Sequence, residues 1–194
     1  MFLRRFVYIS GAVRFFINVK PIDVIYTALP FYHSASGIIT ISQCVLHGNT
    51  VAIRSKFSAS KFWEDCIKYK CTVSHYIGEM CRFLLAQPDK PTDRQHQVRV
   101  MYGNGLRPQI WTQFTQRFSI DTVAEFYGST EGNANVVNFP GKVGACGFVP
   151  VIVPSKYPVT LIKVDPETRE PVRDKEGLCQ LCKPGRIGQI PILD

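Results

Sequence analysis

Between residues 24 and 127, short apolar runs rich in β-branched and aromatic side chains alternate with segments whose apolar residues recur at helical spacing. No other feature of the chain restricts its fold as much. Strands separated by helix-length segments form βαβ units and a parallel sheet covered by helices. Residues 24–29 read as a strand ended by Pro30, residues 34–46 as a helix, and residues 50–54 as a second strand. The helix at 34–46 carries Ile38, Ile41, Val45 and Leu46 along one side, with Gly48 as its stop. Ser58 is the expected cap of a helix bearing Phe62, Trp63, Cys66, Ile67 and Tyr69. Residues 72–76 are strand-like, 78–87 helical, and 88–97 a polar loop. A strand at 98–102, a helix at 108–117 and a strand at 122–127 complete the alternation.

Two flanking regions differ. At the N-terminus, Leu3, Phe6, Ile9, Val13, Phe16 and Ile17 lie close to one helical stripe, with Arg4, Arg5 and Arg14 largely off it. That pattern fits a helix covering a core, the preferred reading, or a basic amphipathic element lying on a membrane surface. The apolar stretch 6–17 is interrupted by Arg14 and is shorter than the roughly 20 residues a membrane span needs. Beyond residue 151, Pro154 and Pro158 punctuate the chain, and strands are expected at 160–164 and 177–181 around the turn Asp165-Pro166-Glu167-Thr168. Residues 1–150 therefore form an α/β sheet domain, and residues 151–194 begin a small β subdomain.

A chain of 194 residues with 45% hydrophobic and 20% charged side chains has enough apolar material to fold around a core. The formal charge of +8 favours anionic partners such as phosphates or lipid headgroups. The basic residues are scattered, which argues against nucleic acid. Among seven cysteines, Cys44, Cys66 and Cys81 sit between apolar neighbours and read as small buried hydrophobes. Cys179 and Cys182 have zinc-knuckle spacing without a second pair, and read as positions on a strand.

Ligands of open parallel sheets bind beyond the carboxyl ends of the strands. Three polar or glycine-rich segments follow expected strands: 30–37, 103–105 and 127–131. They are candidates to line one cleft. The richest is Val-Ala-Glu-Phe-Tyr-Gly-Ser-Thr-Glu-Gly-Asn at 123–133. An aromatic ring suits a base, a glycine lets a ligand approach the backbone, and a hydroxyl beside a carboxylate suits phosphate and Mg²⁺. Gly103-Asn104-Gly105 lacks the third glycine and helix-opening context of a dinucleotide fingerprint, so a nicotinamide cofactor is not expected.

The string Tyr127-Gly128-Ser129-Thr130-Glu131 resembles the Tyr-Gly-x-Thr-Glu motif of the adenylate-forming enzymes. Residues 29–37 (Leu-Pro-Phe-Tyr-His-Ser-Ala-Ser-Gly) are similar to the Leu-Pro-x-x-His-x-x-x-Gly segment of that superfamily. Residues 56–63, 102–107 and 143–148 are similar to its branch of fatty-acid transport proteins, or very-long-chain acyl-CoA synthetases. The resemblance implies a partial parallel-sheet domain of the adenylate-forming fold. It also implies ATP-dependent ligation of a long-chain fatty acid to coenzyme A, with Mg²⁺. By the same resemblance Thr130 contacts phosphate, Glu131 is the Mg²⁺-associated carboxylate, and Tyr127 and Gly128 lie against adenine. Gly103, Asn104 and Gly105 form the turn approaching the adenine and acyl pocket, and His33 borders that pocket. A membrane-associated protein with its domain facing the cytosol, at the endoplasmic reticulum or plasma membrane, is the implied setting.

Three parts of the family pattern are not found in these 194 residues: the Ser/Thr/Gly-rich phosphate loop, the ribose-holding Thr-Gly-Asp segment, and the C-terminal domain with its catalytic lysine. The chain therefore reads as a middle piece of the large domain. It is expected to be either a ligase segment or a catalytically inactive lipid-binding, nucleotide-binding or interaction module.

Overall fold

The computed structural model describes residues 2–128, 135–149, 159–183 and 185–190. They fall into two compact units, Met1–Tyr127 with Val136–Phe148, and Gly128–Asn135 with Val149–Asp194.

The first unit is built on a six-stranded sheet in the order β2-β1-β3-β4-β5-β6. Its strands are β1 (Val24–Thr27), β2 (Thr50–Ile53), β3 (Val73–Ile77), β4 (Val100–Asn104), β5 (Thr122–Tyr127) and β6 (Val136–Asn138). The first five pair in parallel, and β6 returns antiparallel on β5. The alternation read from the sequence is thus realised. The crossovers run through a π-helix at Ala35–Thr40 continuing into α2 (Ile41–His47), then α3 (Phe62–Lys68), α4 (Gly78–Leu85) and α5 (Pro108–Phe118), while α1 (Phe2–Phe16) precedes β1.

Local chemistry sets several boundaries. Pro108 opens α5, where a missing N–H costs nothing, and Ser119 ends it in a left-handed conformation. Gly48 ends α2 at φ 72°. The expected cap of α3 is corrected: Ser58 pairs with Ser60 at 3.3 Å, Lys61 occupies the cap position, and Glu64 and Asp65 supply negative charge in the first turn.

The period-2 alternation of the strands sends side chains to two cores. One face packs Tyr26, Tyr76, Met101 and Val123 against Phe62, Trp63 and Cys66 of α3, Met80, Cys81 and Leu84 of α4, and Trp111, Phe114 and Phe118 of α5. The other packs Ile25, Val73, Val100, Tyr102 and Ala124 with Val13, Ile17 and Val19. Within the expected stripe of α1, Val13 and the following Ile17 are buried, but Leu3 is 77% and Phe16 44% exposed.

The helical segment at 34–46 turns its other side inward. Val45 and Leu46 are exposed and Cys44 is exposed, whereas Ser36, Thr40, Ser42 and Gln43 are fully buried. Ser36 meets Thr27 at 3.3 Å and Gln43 Nε2 donates to the Ser10 carbonyl at 3.1 Å, whereas Gln43 Oε1 is buried without a partner among the described residues. Cys44 is therefore not the buried hydrophobe its neighbours suggested. Cys66 and Cys81 are.

At the amino ends of the strands, buried Asp23 binds three segments together. Its carboxylate accepts from Arg99 Nη2 (2.6 Å), Thr72 Oγ1 (2.7 Å) and the Lys20 backbone N–H (2.6 Å). Asn49 donates from the side to the carbonyls of Lys20 and Asp23.

The second unit contains a two-stranded antiparallel pair, β7 (Ile162–Lys163) and β8 (Gly188–Gln189). The strand expected at 177–181 appears only as isolated bridges, Ile162 with Leu181 and Arg173 with Cys179. Asp165 Oδ1 accepts from the N–H groups of Glu167 and Thr168, both at 2.9 Å, which forms the turn expected there.

Replacing Asp23 by alanine would leave the Arg99 guanidinium, the Thr72 hydroxyl and a backbone N–H without their acceptor. Urea titration of Asp23→Ala is expected to show a loss of about 2–3 kcal/mol, most of it from uncompensated polar groups. A change below about 0.5 kcal/mol, the range of ordinary surface substitutions, would mean that the clip does not hold the strand ends.

Candidate active site

The parallel strands β1, β4 and β5 end on the same edge of the sheet. The segment after β1 reaches the π-helix through an exposed loop containing Phe31, Tyr32 and His33. Its turn is tight: a side chain on Gly37 would collide with the Phe31 carbonyl. His33 Nδ1 accepts the backbone N–H of Ala35 at 3.2 Å. In the neutral ring, the proton then resides on Nε2, which leaves His33 a donor on its outer edge.

Beneath this loop lies a buried polar cluster absent from the sequence reading. Thr40 Oγ1 sits 3.0 Å from His75 Nδ1 and 2.8 Å from the Tyr102 hydroxyl, and the His75 ring stacks on Tyr102 with centroids 4.6 Å apart. His75 and Tyr102 are register partners on β3 and β4, so the sheet itself sets the stack. The π-turn is how Thr40 comes to face them; such turns recur at functional sites. Complete burial, with the nearby His33 imidazole adding to it, pushes the His75 pKa down to about 3.

On the opposite face, the sheet aligns Tyr76, Gly103 and Glu125 in one row across β3, β4 and β5. Gly103 has no side chain to block the row, and a Cβ there would strike the Tyr76 carbonyl and ring. The Tyr76 hydroxyl therefore reaches Glu125 and donates to it. The same carboxylate accepts from the backbone N–H of Gly105 and of Leu106, the latter at 3.3 Å. Gly105 adopts φ 86°, and its carbonyl occupies the space a side chain on Gly78 would need. Burial raises the Glu125 pKa, while the three donated hydrogen bonds oppose that rise. Glu125 and Tyr76 escaped the sequence reading, although the alternation of β5 already puts Glu125 on the buried side with Val123.

The sequence-derived site residues fall as follows. Asn104 and Gly105 are exposed at the end of β4, and Tyr127 is 53% exposed at the end of β5. Gly128 opens the second unit, where a side chain on it would overlap that of Asn135. Thr130 and Glu131, with the Mg²⁺ assignment of Glu131, lie outside the described residues. Gly103, Gly105 and Glu125 are brought together by hydrogen bonds; His33 lies in the loop after β1, two strands away from β4 in the sheet. A water-sized crevice lined by Trp63, Leu84, Lys90 and Asp93 belongs to none of these segments.

A parallel sheet whose strands β1, β4 and β5 end at one carboxyl edge defines an α/β domain of the class in which ligands bind beyond the strand ends. Its family follows from comparison: the profile of the AMP-binding enzymes matches residues 5–187, and the chain belongs to that family. It is 53% identical over 171 residues to mouse long-chain fatty acid transport protein 1, covering 88% of this chain and 26% of that protein. Rat long-chain fatty acid transport protein 2 is 48% identical, with 88% of this chain and 28% of that protein covered. The chain thus spans about a quarter of the length of these relatives. Among solved structures, an ATP-bound RpMatB-BxBclM chimera matches with a TM-score of 0.72 at 22% identity, covering 95% of this chain and 34% of that one. A Mycobacterium tuberculosis fatty acyl CoA synthetase matches with a TM-score of 0.60 at 17% identity, over 88% of this chain and 32% of that one. These likenesses show the fold of the adenylate-forming N-terminal domain.

The buried His75 makes the fold acid-sensitive. Below its ordinary pKa of about 6.5 the unfolded chain binds a proton that the folded chain refuses until about pH 3. Its contribution is full above pH 6.5 and falls as pH drops, by about 1.4 kcal/mol per pH unit. His75→Gln is expected to flatten the stability profile between pH 6 and pH 4 in urea titrations. An unchanged slope would place the acid sensitivity elsewhere.

Proposed function

We propose that this chain is part of the large domain of an ATP-dependent long- or very-long-chain fatty acid–CoA ligase, acting in fatty-acid activation and uptake. The observation that carries this reading is the common carboxyl edge of β1, β4 and β5, in a chain 53% identical to a long-chain fatty acid transport protein. The residues present suit a nucleotide: the half-exposed ring of Tyr127 offers a stacking face, and the 103–105 turn presents backbone with little side chain.

A fatty acid is ionised near neutral pH, so no base is needed to activate it. One of its oxygens attacks the α-phosphorus of ATP, pyrophosphate leaves, and an acyl adenylate forms. The sulfur of coenzyme A then attacks the acyl carbon, giving up its proton, and AMP departs with the bonding electrons. In this reading Tyr127, Gly128 and the 103–105 turn take the adenine roles, and the Nε2–H of His33 serves the acyl carboxylate or adenylate. Thr130 and Glu131 take the phosphate and metal roles. Mg²⁺, when bound, neutralises charge on the phosphates.

The protein in this reading works at a membrane, with the domain on the cytosolic side of the endoplasmic reticulum or plasma membrane. Leu3, Val7, Tyr8 and Phe15 of α1 are exposed, which fits contact with a lipid surface. Among the described residues no helix is long and apolar enough to cross a membrane.

In the full-length protein, acyl-CoA formation from ATP, Mg²⁺, coenzyme A and oleate tests the assignment. Glu131→Gln should reduce it by at least about 10²-fold while leaving the fold intact, since the amide is nearly isosteric but binds Mg²⁺ poorly. An unchanged pyrophosphate-exchange rate would return Glu131 to a solvated turn carboxylate. Binding of oleate and ATP without turnover in the unmutated protein would favour the inactive binding module instead.

A further inference from the structure

Glu125 is a buried carboxylate toward the carboxyl edge of the sheet, 5% exposed, and none of the roles above uses it. Among the described residues no cation pairs with it, which is unusual for a structural carboxylate. Its partners are the Tyr76 hydroxyl and the consecutive backbone N–H groups of Gly105 and Leu106. A carboxylate that accepts two adjacent amides fixes the peptide planes of the turn that supplies them. Gly78 closes the other side, because the Gly105 carbonyl fills the space its side chain would take.

We propose that Glu125 is a positioning residue for nucleotide binding: it clamps the 103–106 turn to β5, two residues before Tyr127, so that the turn and the aromatic ring hold one fixed spacing. The proposal rests on the ligase reading for the identity of the ligand. Residues 125 and 127 point to the same side of β5, so the carboxylate that holds the turn and the ring offered to the base are carried on one rigid strand. Tyr76 anchors the carboxylate to β3, which spreads the clamp over three strands. The clamp works by geometry rather than charge. A glutamine retains an oxygen for the two amides and gives its NH₂ to the Tyr76 oxygen, whereas an aspartate keeps the charge but falls one methylene short.

The test compares Glu125→Gln, Glu125→Asp and Tyr76→Phe in the full-length protein, by ATP and oleate kinetics and by amide hydrogen exchange at Gly105 and Leu106. Glu125→Gln should keep the KM for ATP within about threefold of wild type. Glu125→Asp should raise it about tenfold or more, as expected for buried donors left unpaired, with the KM for oleate little changed. Exchange at both amides should accelerate in Glu125→Asp and stay slow in Glu125→Gln. A purely structural role would move both KM values and the melting temperature together. Loss of ATP affinity in folded Glu125→Gln, or an unchanged ATP KM in folded Glu125→Asp, would overturn the clamp. If Glu125→Asp fails to fold, Tyr76→Phe decides: faster exchange at Gly105 supports the clamp, and an unchanged rate overturns it. Absence of ATP-dependent turnover in wild type would count against the ligase reading, while the exchange rates would still judge the clamp.

Discussion

Parallel pairing of the first five strands is the constraint from which the rest of the first unit follows. A parallel strand cannot be reached by a tight turn, so each return requires a crossover, and the crossovers cover both faces of the sheet. It also follows that every strand-to-helix turn is made on the same edge. The location of the candidate site is thus a consequence of topology before it is a matter of residue chemistry. The opposite edge carries the amino ends of the strands, and there the chain spends buried charge on cohesion: Asp23 with Arg99, Thr72 and Lys20. One edge is fastened by an ion pair and the other is left with exposed turns.

The elements themselves were legible because strand and helix periods differ and the runs are separated by clear stops such as Pro30 and Gly48. The inward face of the segment at 34–46 was not. A helical wheel scores each side chain by its own hydropathy, and on that count Val45 and Leu46 belong inside. What decides the matter is a set of partners far along the chain: His75 and Tyr102 are 35 and 62 residues from Thr40, and Gln43 finds Ser10 at 33 residues. A buried polar residue with a matched partner costs little, so satisfied polar contacts outweigh the preference of the apolar side. The π-turn adds an extra residue to the turn, which a regular 3.6 period does not anticipate.

Glu125 illustrates a different kind of gap. Its position on the buried side of β5 is readable from the alternation of Val123 and Glu125 alone, and an acidic residue there demands an explanation. The explanation lies in two other strands and needs the register: Tyr76 opposite Gly103, and Gly103 opposite Glu125. Register is set by backbone pairing across crossovers, and no local pattern encodes it. The resemblance of the 127–131 string to a known motif, by contrast, was legible without any geometry, and it led to the right family. It says nothing about how the turn beside it is held.

The glycines at 103 and 105 show why fold and function must be separated before a site is read. Taken as a sequence, Gly-Asn-Gly suggests backbone cleared for a ligand. The structure gives each glycine a reason of its own. Gly103 is empty so that Tyr76 can cross to Glu125, and Gly105 adopts a left-handed turn whose carbonyl abuts Gly78. Neither glycine is by itself an argument for a bound nucleotide. What the fold leaves unexplained is the exposure of Asn104, the half-exposed ring of Tyr127, and the outward edge of His33. Side-chain edges that the scaffold holds yet leaves open are those available to a ligand, so in the proposed reading Asn104 and Tyr127 serve the nucleotide and the outer edge of His33 the acyl side.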